Sequence, residues 1–161
     1  AHGIYIGSGE LYINNSLFLS SKDEGHEIKS RAKITEIRNS LVASLNGRDS
    51  RLVDLSDGGI VILENNIFQQ GNNTSNSDVI GFALEKHKHK DNSIVIKNNV
   101  FLLDRVNGSQ ILHTRDNEDN QVITGNTIIG KYFDKNIDNT NILFESRNDA
   151  GIDPFPALIK Q

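Results

Sequence analysis

Lys29, Arg31, His113 and Tyr5 are the side chains of this 161-residue chain best placed to do acid–base chemistry, because they recur at matching points of a repeating pattern. β-Elimination from a uronate needs a base near the C5 proton and a cation that stabilises the carboxylate-derived enolate. Lys29 or His113 is the candidate base, and Arg31 or Arg115 the candidate neutraliser. Tyr5 is the candidate donor to the leaving oxygen. Asp54 is expected beside Lys29, and an opposite charge favours the ionised amine. That argues against Lys29 as a neutral base. His26, Asp54, Glu85 and Arg115 complete the set as binding candidates. A plainer account covers the same residues: outward positions must be polar, and exposed ion pairs between them are worth about 0–1 kcal/mol.

Other chemistries fare less well. Glycoside hydrolysis needs two carboxyl groups about 5–9.5 Å apart, and the pair Asp54 and Glu85 is the one option. His26 follows Gly25 at a strand entry, where a hydrogen-bonding turn residue is the alternative to a site role. His87 and His89 lie two apart in Glu85-Lys86-His87-Lys88-His89-Lys90, where lysines would repel a metal ion. This stretch reads as a solvated basic loop. Asp116, Glu118 and Asp119 form an oxygen-rich cluster of the type that holds Ca²⁺, although their spacing matches no EF-hand. No other cofactor or metal is expected. The chain has no Cys, no phosphate loop, no Gly-x-Ser-x-Gly elbow and no HExxH.

The elements that must position these residues are legible as repeats. A six-residue pattern (apolar, any, Asn, Asn or Ser, any, apolar) occurs at Ile13–Phe18, Ile37–Val42, Leu63–Phe68 and Ile96–Phe101, with a weaker copy at Ile123–Ile128. Its third position falls at 15, 39, 65, 98 and 125, so the steps are 24, 26, 33 and 27 residues. Short β-type runs precede the copies: Gly3–Ile6, Glu27–Ser30, Leu52–Leu55, Ile80–Leu84, Ile111–Thr114 and Asn141–Glu145. Most alternate apolar with other residues, the period of a strand buried on one face. Each unit therefore predicts three short strands, with an Asn bend before the third. Helical spacing at Ile34, Ile37, Leu41 and Leu45, with Gly47 as a stop, competes over 27–47. It yields to the match of Ile37–Val42 with four other copies.

Units of this length that stack form a solenoid, here an all-β, right-handed parallel β-helix of about five to six coils. Asn suits the bend because it tolerates the left-handed conformation and bonds local backbone; stacked Asn side chains can also form a ladder. Counting back from the Ile of each Asn turn puts Tyr5, Lys29 and Asp54 outward in one column. Gly81 or Ala83 then His113 and Glu145 continue it, and Gly7, Arg31, Ser56, Glu85, Arg115 and Arg147 form a parallel column. Six coils at about 4.8 Å give a face about 29 Å long, suited to an acidic polysaccharide.

The runs His2–Gly7, Gly25–Ala32, Val53–Gly59 and Ile67–Gly71 resemble the bacterial right-handed β-helix proteins of the pectate-lyase-like class, the carbohydrate-binding and sugar-hydrolase repeat group, in a poorly characterised branch. The likeness covers about residues 2–130. It implies a polysaccharide partner, a secreted or periplasmic bacterial location, and either a binding module or a lyase or epimerase on uronate-containing glycans. Family members carry more coils ahead of the first motif, so 1–161 reads as one β-helix domain, small or shortened. This chain departs from the family at Phe82–Glu85 and in the Lys/His loop, where small glycine-rich sequence is usual.

Composition narrows the rest. Seventeen basic against 21 acidic residues give −4, and nucleic-acid binding needs a basic footprint. No apolar run approaches the roughly 18 residues of a membrane span. Without Met, the chain is expected to be processed or a piece of a longer one. Solenoid ends must be capped; residues 148–161, with the apolar Asp153–Ile159 stretch, are the expected C-terminal cap. Nothing before His2 covers the first coil, which predicts that this end pairs either with another copy, end to end, or with further residues of a longer native chain.

Overall fold

The computed structural model describes residues 1–115 and 120–153. Each coil contributes one strand to each of three sheets. The first coil holds β1 (Ile4–Ile6), β2 (Glu10–Asn14) and β3 (Leu17–Leu19), and the second β4 (Ile28–Ser30), β5 (Ile34–Arg38) and β6 (Leu41–Ala43). The third holds β7 (Val53–Leu55), β8 (Ile60–Glu64) and β9 (Ile67–Gln70), and the fourth β10 (Asp78–Phe82), β11 (Ser93–Lys97) and β12 (Val100–Leu103). The fifth holds β13 (Gln110–Thr114), β14 (Asn120–Thr124) and β15 (Thr127–Gly130), and β16 (Ile142–Phe144) follows. The first sheet runs β1-β4-β7-β10-β13, the second β2-β5-β8-β11-β14 and the third β3-β6-β9-β12-β15-β16, every pair parallel. This is a parallel β-helix of about five coils. No helix among the described residues is long and apolar enough to cross a membrane.

Inward residues stack on their own kind. Ile13, Ile37, Leu63, Ile96 and Ile123 are in register across the second sheet, and Phe18, Val42, Phe68, Phe101 and Ile128 across the third. The Phe68 and Phe101 rings stack with centroids 5.3 Å apart. Each fully buried side chain of this size contributes about 1.5–3 kcal/mol, so the core comes from repetition rather than from one central layer. The stretch with helical spacing is β5, an Asn turn and β6.

The Asn turn divides two jobs between neighbouring residues. The third position takes the left-handed bend: φ is +50° at Asn15 and Asn39, +58° at Asn65, +55° at Asn98 and +66° at Gly125. These residues are exposed. The fourth position forms the ladder and is buried from Ser40 onward, at Ser40, Asn66, Asn99 and Asn126. Asn66 Oδ1 accepts from Ser40 N, Asn99 Oδ1 from Asn66 N and Nδ2, and Asn126 Oδ1 from Asn99 N and Nδ2. Asn141 Oδ1 accepts from Asn126, and each Nδ2 from Asn66 to Asn141 donates to a carbonyl, at Ile37, Leu63, Ile96 and Ile123.

Asn141 corrects the reading of the last run. It occupies the ladder position, so Ile142–Phe144 pairs with β15 in the third sheet rather than continuing the first. Glu145 therefore does not extend the Tyr5 column. Arg147 does not extend the second column either: its Nε and Nη2 donate to the Asp104 carboxylate at 2.9 and 2.8 Å. The final coil is cut short, because only 15 residues separate Asn126 from Asn141. The proposed C-terminal cap from residue 154 onward lies outside the described residues.

Candidate functional site on the first sheet

The first sheet carries the chemistry-bearing column in the expected register: Tyr5 faces Lys29, Lys29 faces Asp54, Asp54 faces Gly81 and Gly81 faces His113. Gly81, not Ala83, holds the fourth position. Alternation puts Ser30 and Ile28 inside, where Ser30 Oγ bonds Thr35 Oγ1 at 2.8 Å. Because β4 and β7 are short, the polar residues around them reach across coils as well as along them.

Asp54 is the hub. Its Oδ2 accepts from Lys29 Nζ at 2.8 Å and Ser56 Oγ at 2.7 Å, and lies 3.5 Å from His26 Nε2. Burial pushes this carboxyl up, but the hydrogen bonds from Lys29 and Ser56 outweigh it and leave it below its ordinary value. Lys29 also reaches Glu85 Oε1 at 3.3 Å. Its ammonium is thus held between two carboxylates.

Arg31 is equally engaged. It donates from Nε to Tyr5 Oη at 3.0 Å, from Nη1 to Asp57 Oδ1 at 2.7 Å and from Nη2 to Glu85 Oε2 at 2.6 Å. Glu85 itself does not occupy the second column. One residue beyond the paired strands, Arg31, Ser56, Ala83 and Arg115 align, and Ala83 takes a φ of +54°. The insertion then folds Glu85 back over the sheet: its N–H donates to Ser56 O, and Arg115 Nη1 donates to its carbonyl at 2.8 Å. The Glu85 carboxyl sits below its usual range, chiefly through Arg31.

Three residues before the column runs a second polar row: His2, His26, Arg51, Asp78 and Gln110. The His2 and His26 rings stack at 5.2 Å, 7° from parallel. His26 Nδ1 lies 3.1 Å from Arg51 N and 3.3 Å from Arg51 O, and its Nε2 faces Asp54. Desolvation pushes His26 down to about 4, against the pull of Asp54. His26 is therefore a buried neutral link rather than a surface ligand. Arg51 crosses above Gly81, where a Cβ would come within 2.8 Å of its Cδ, and binds Asp78 Oδ2. Asp78 Oδ2 also pairs with His113 Nδ1 at 2.8 Å.

The site thus unites all eight candidate residues, in two linked groups. Lys29, Arg31, Asp54, Glu85, Tyr5 and His26 form one network, joined through Asp54 and Arg51 to His113; Arg115 touches it through the Glu85 backbone. His2, Arg51, Asp57 and Asp78 are participants that the sequence reading passed over. The signal was present: counting three residues back from Tyr5, Lys29, Asp54 and Gly81 lands on His2, His26, Arg51 and Asp78. In the basic loop, His89 Nε2 lies 3.3 Å from Arg31 O and Lys88 Nζ 3.8 Å from Asp57. Among the described residues no three His, Asp or Glu side chains are grouped to hold a metal. The Asp116, Glu118 and Asp119 cluster lies outside them.

No family model, curated protein or solved structure matches the chain.

Proposed function

We propose that this β-helix is a glycan-binding module whose first sheet offers a rigid polar face to a polysaccharide. The carrying observation is the ion network itself. Tyr5, Lys29 and Asp54 are aligned on the first three coils and His113 on the fifth, with Gly81 between, and every carboxylate among Asp54, Asp57, Asp78 and Glu85 has a cationic partner. Side chains fixed in advance lose little freedom on binding. Tyr5 is 52% exposed and the His113 side chain 44%, so an aromatic platform and an imidazole stand at opposite ends of the row. With its charges nearly balanced, this face suits a neutral glycan as well as an anionic one. A pectate-lyase-like ancestry and a secreted or periplasmic location accord with this reading.

One observation favours a second reading, a lyase or epimerase on uronate glycans. Lys29 and Arg31 are held by carboxylates, but among the described residues His113 has only Nδ1 engaged, and Asp78 orients it. Its Nε2 is then the lone-pair nitrogen of the neutral ring, the arrangement of a general base. Arg115, two residues on, would neutralise the enolate.

The test combines affinity electrophoresis in gels containing polygalacturonate or neutral glucans with an ultraviolet assay for unsaturated products. Retardation without product, weakened by Tyr5→Ala, supports the module. Product formation abolished by His113→Asn supports the lyase. Neither retardation nor product on any polysaccharide overturns both.

A further inference from the structure

The hexapeptide repeat carries a feature that neither the core nor the bend requires. Its first and sixth positions point inward. Its fifth position points outward, yet it is aliphatic in four of five copies: Leu17, Leu41, Ile67 and Val100, then Thr127. These residues are in register across the third sheet, and Ile142 extends the row. Leu17 is 70% exposed and Ile67 41%. Outward apolar residues occur on the second sheet as well, among them Tyr12, Ile60 and Val122, but this row is aliphatic over the first four coils in succession, and a contiguous exposed apolar stripe marks an interaction surface where scattered residues do not.

Beside this row runs the exposed row of bend residues Asn15, Asn39, Asn65 and Asn98. Together Asn15, Asn39, Asn65, Leu17, Leu41 and Ile67 line one shallow groove parallel to the solenoid axis. Asn39 Nδ2 donates to Asn14 Oδ1. The side-chain amides of Asn15, Asn65 and Asn98 have no protein partner among the described residues. Glycine would serve the bend as well, and does so at Gly125, so four retained amides are more than the backbone needs.

We propose that this groove is a second binding site, for a linear uncharged polysaccharide lying along the solenoid axis. The same pair, one amide and one aliphatic side chain, repeats at about 4.8 Å, which suits a polymer rather than a compact ligand. Sugar rings present apolar C–H faces to the aliphatic row and hydroxyls to amides that both donate and accept. The lining residues named carry no formal charge. The outward charges of the second sheet beside it balance: Arg38 pairs with Glu64 and lies 3.3 Å from Glu36, and Lys97 lies 3.7 Å from Glu64. Nothing there selects an anionic chain. This site lies on a different face from the first-sheet network and does not rest on its reading.

The experiment is affinity electrophoresis of the full chain in gels containing hydroxyethyl cellulose, galactomannan or polygalacturonate, with light scattering alongside. Retardation by a neutral polymer is expected. It should weaken by about tenfold or more in Ile67→Lys and in Asn39→Gly/Asn65→Gly, the latter keeping the positive φ that glycine adopts freely. Lys22→Ala, at an exposed position outside both sets of residues, should leave it intact. Unchanged melting temperature in the glycine variant separates lost contacts from lost fold. No retardation by any neutral polymer, or retardation insensitive to these substitutions, overturns the proposal. So does a dimer dispersed by Ile67→Lys, which would make the stripe a contact between copies of the chain.

Discussion

Lys29 and Asp54 stand opposite each other on adjacent coils, joined at 2.8 Å with both side chains largely withdrawn from water. Their neighbours complete the satisfaction of the pair: Ser56 donates to the same carboxylate oxygen, and Glu85 takes a second bond from the ammonium. A buried pair of this kind is more a constraint than a source of net stability, because desolvation offsets most of the attraction. Removing one partner is a different matter.

Asp54→Ala leaves Lys29 with only the half-exposed Glu85 as partner, beside a position where Asp54 is 4% exposed, and should cost about 3 kcal/mol. Glu85→Ala removes a half-exposed partner of the same lysine and should cost less than about 1 kcal/mol. Urea denaturation of the two variants checks the contrast. Equal losses would mean that Asp54 is not the hub.

Stability should also fall on acidification through His26. Its folded value of about 4 lies below the ordinary 6.5, so the unfolded chain takes up the proton first. The contribution is complete above pH 6.5 and is lost as pH drops toward 4, amounting to at most about 3 kcal/mol. Asp54, depressed in the fold, adds a further loss below the ordinary aspartate range. Denaturation midpoints measured across this window should slope in the parent and flatten above pH 4 in His26→Gln.

The Asn ladder predicts a sharp difference between neighbours. Asn99→Ala removes the acceptor of Asn66 N and Nδ2 and the donor to Leu63 O, at a cost of about 3 kcal/mol. Asn98→Gly keeps the bend and should change stability by less than about 1 kcal/mol. Thermal unfolding of both variants tests whether ladder and bend are separate.

Gly81→Ala places a methyl within 2.8 Å of Arg51 Cδ and 2.9 Å of Leu84 Cδ1. Both are movable side-chain atoms, so the cost should stay near about 1–2 kcal/mol. Gly71→Ala would meet the Leu45 carbonyl at 2.2 Å, a backbone atom that cannot step aside, and should cost more. If the Gly81 variant instead shows the larger loss, Arg51 has less freedom than its long side chain implies.

Much of this molecule is legible in one dimension. Alternation over Ile4–Ile6, Ile28–Ser30 and Val53–Leu55 fixes which side chains face the core, because a strand turns its side chains over every residue. The recurrence of Ile13–Phe18 at Ile37, Leu63 and Ile96 fixes how coils align, because a one-residue slip would turn the buried row outward. The Tyr5–Lys29–Asp54 column follows from those two facts, and so does the row from His2 to Asp78 once three residues are counted back.

What the tertiary structure alone decided lies where length or reach breaks the repeat. Glu85 joins Lys29 and Arg31 because an insertion folds back, and no periodicity encodes the path of an insertion. Ile142–Phe144 changes sheets because Asn141 enters the ladder early, in a coil too short for the spacing of the others. Asn65 and Asn66 look alike in sequence, yet one bends the chain in solvent while its neighbour is buried between carbonyls. Residue type specifies a conformation that the backbone tolerates, whereas the partner of a long polar side chain is fixed only when the coils above and below are in place.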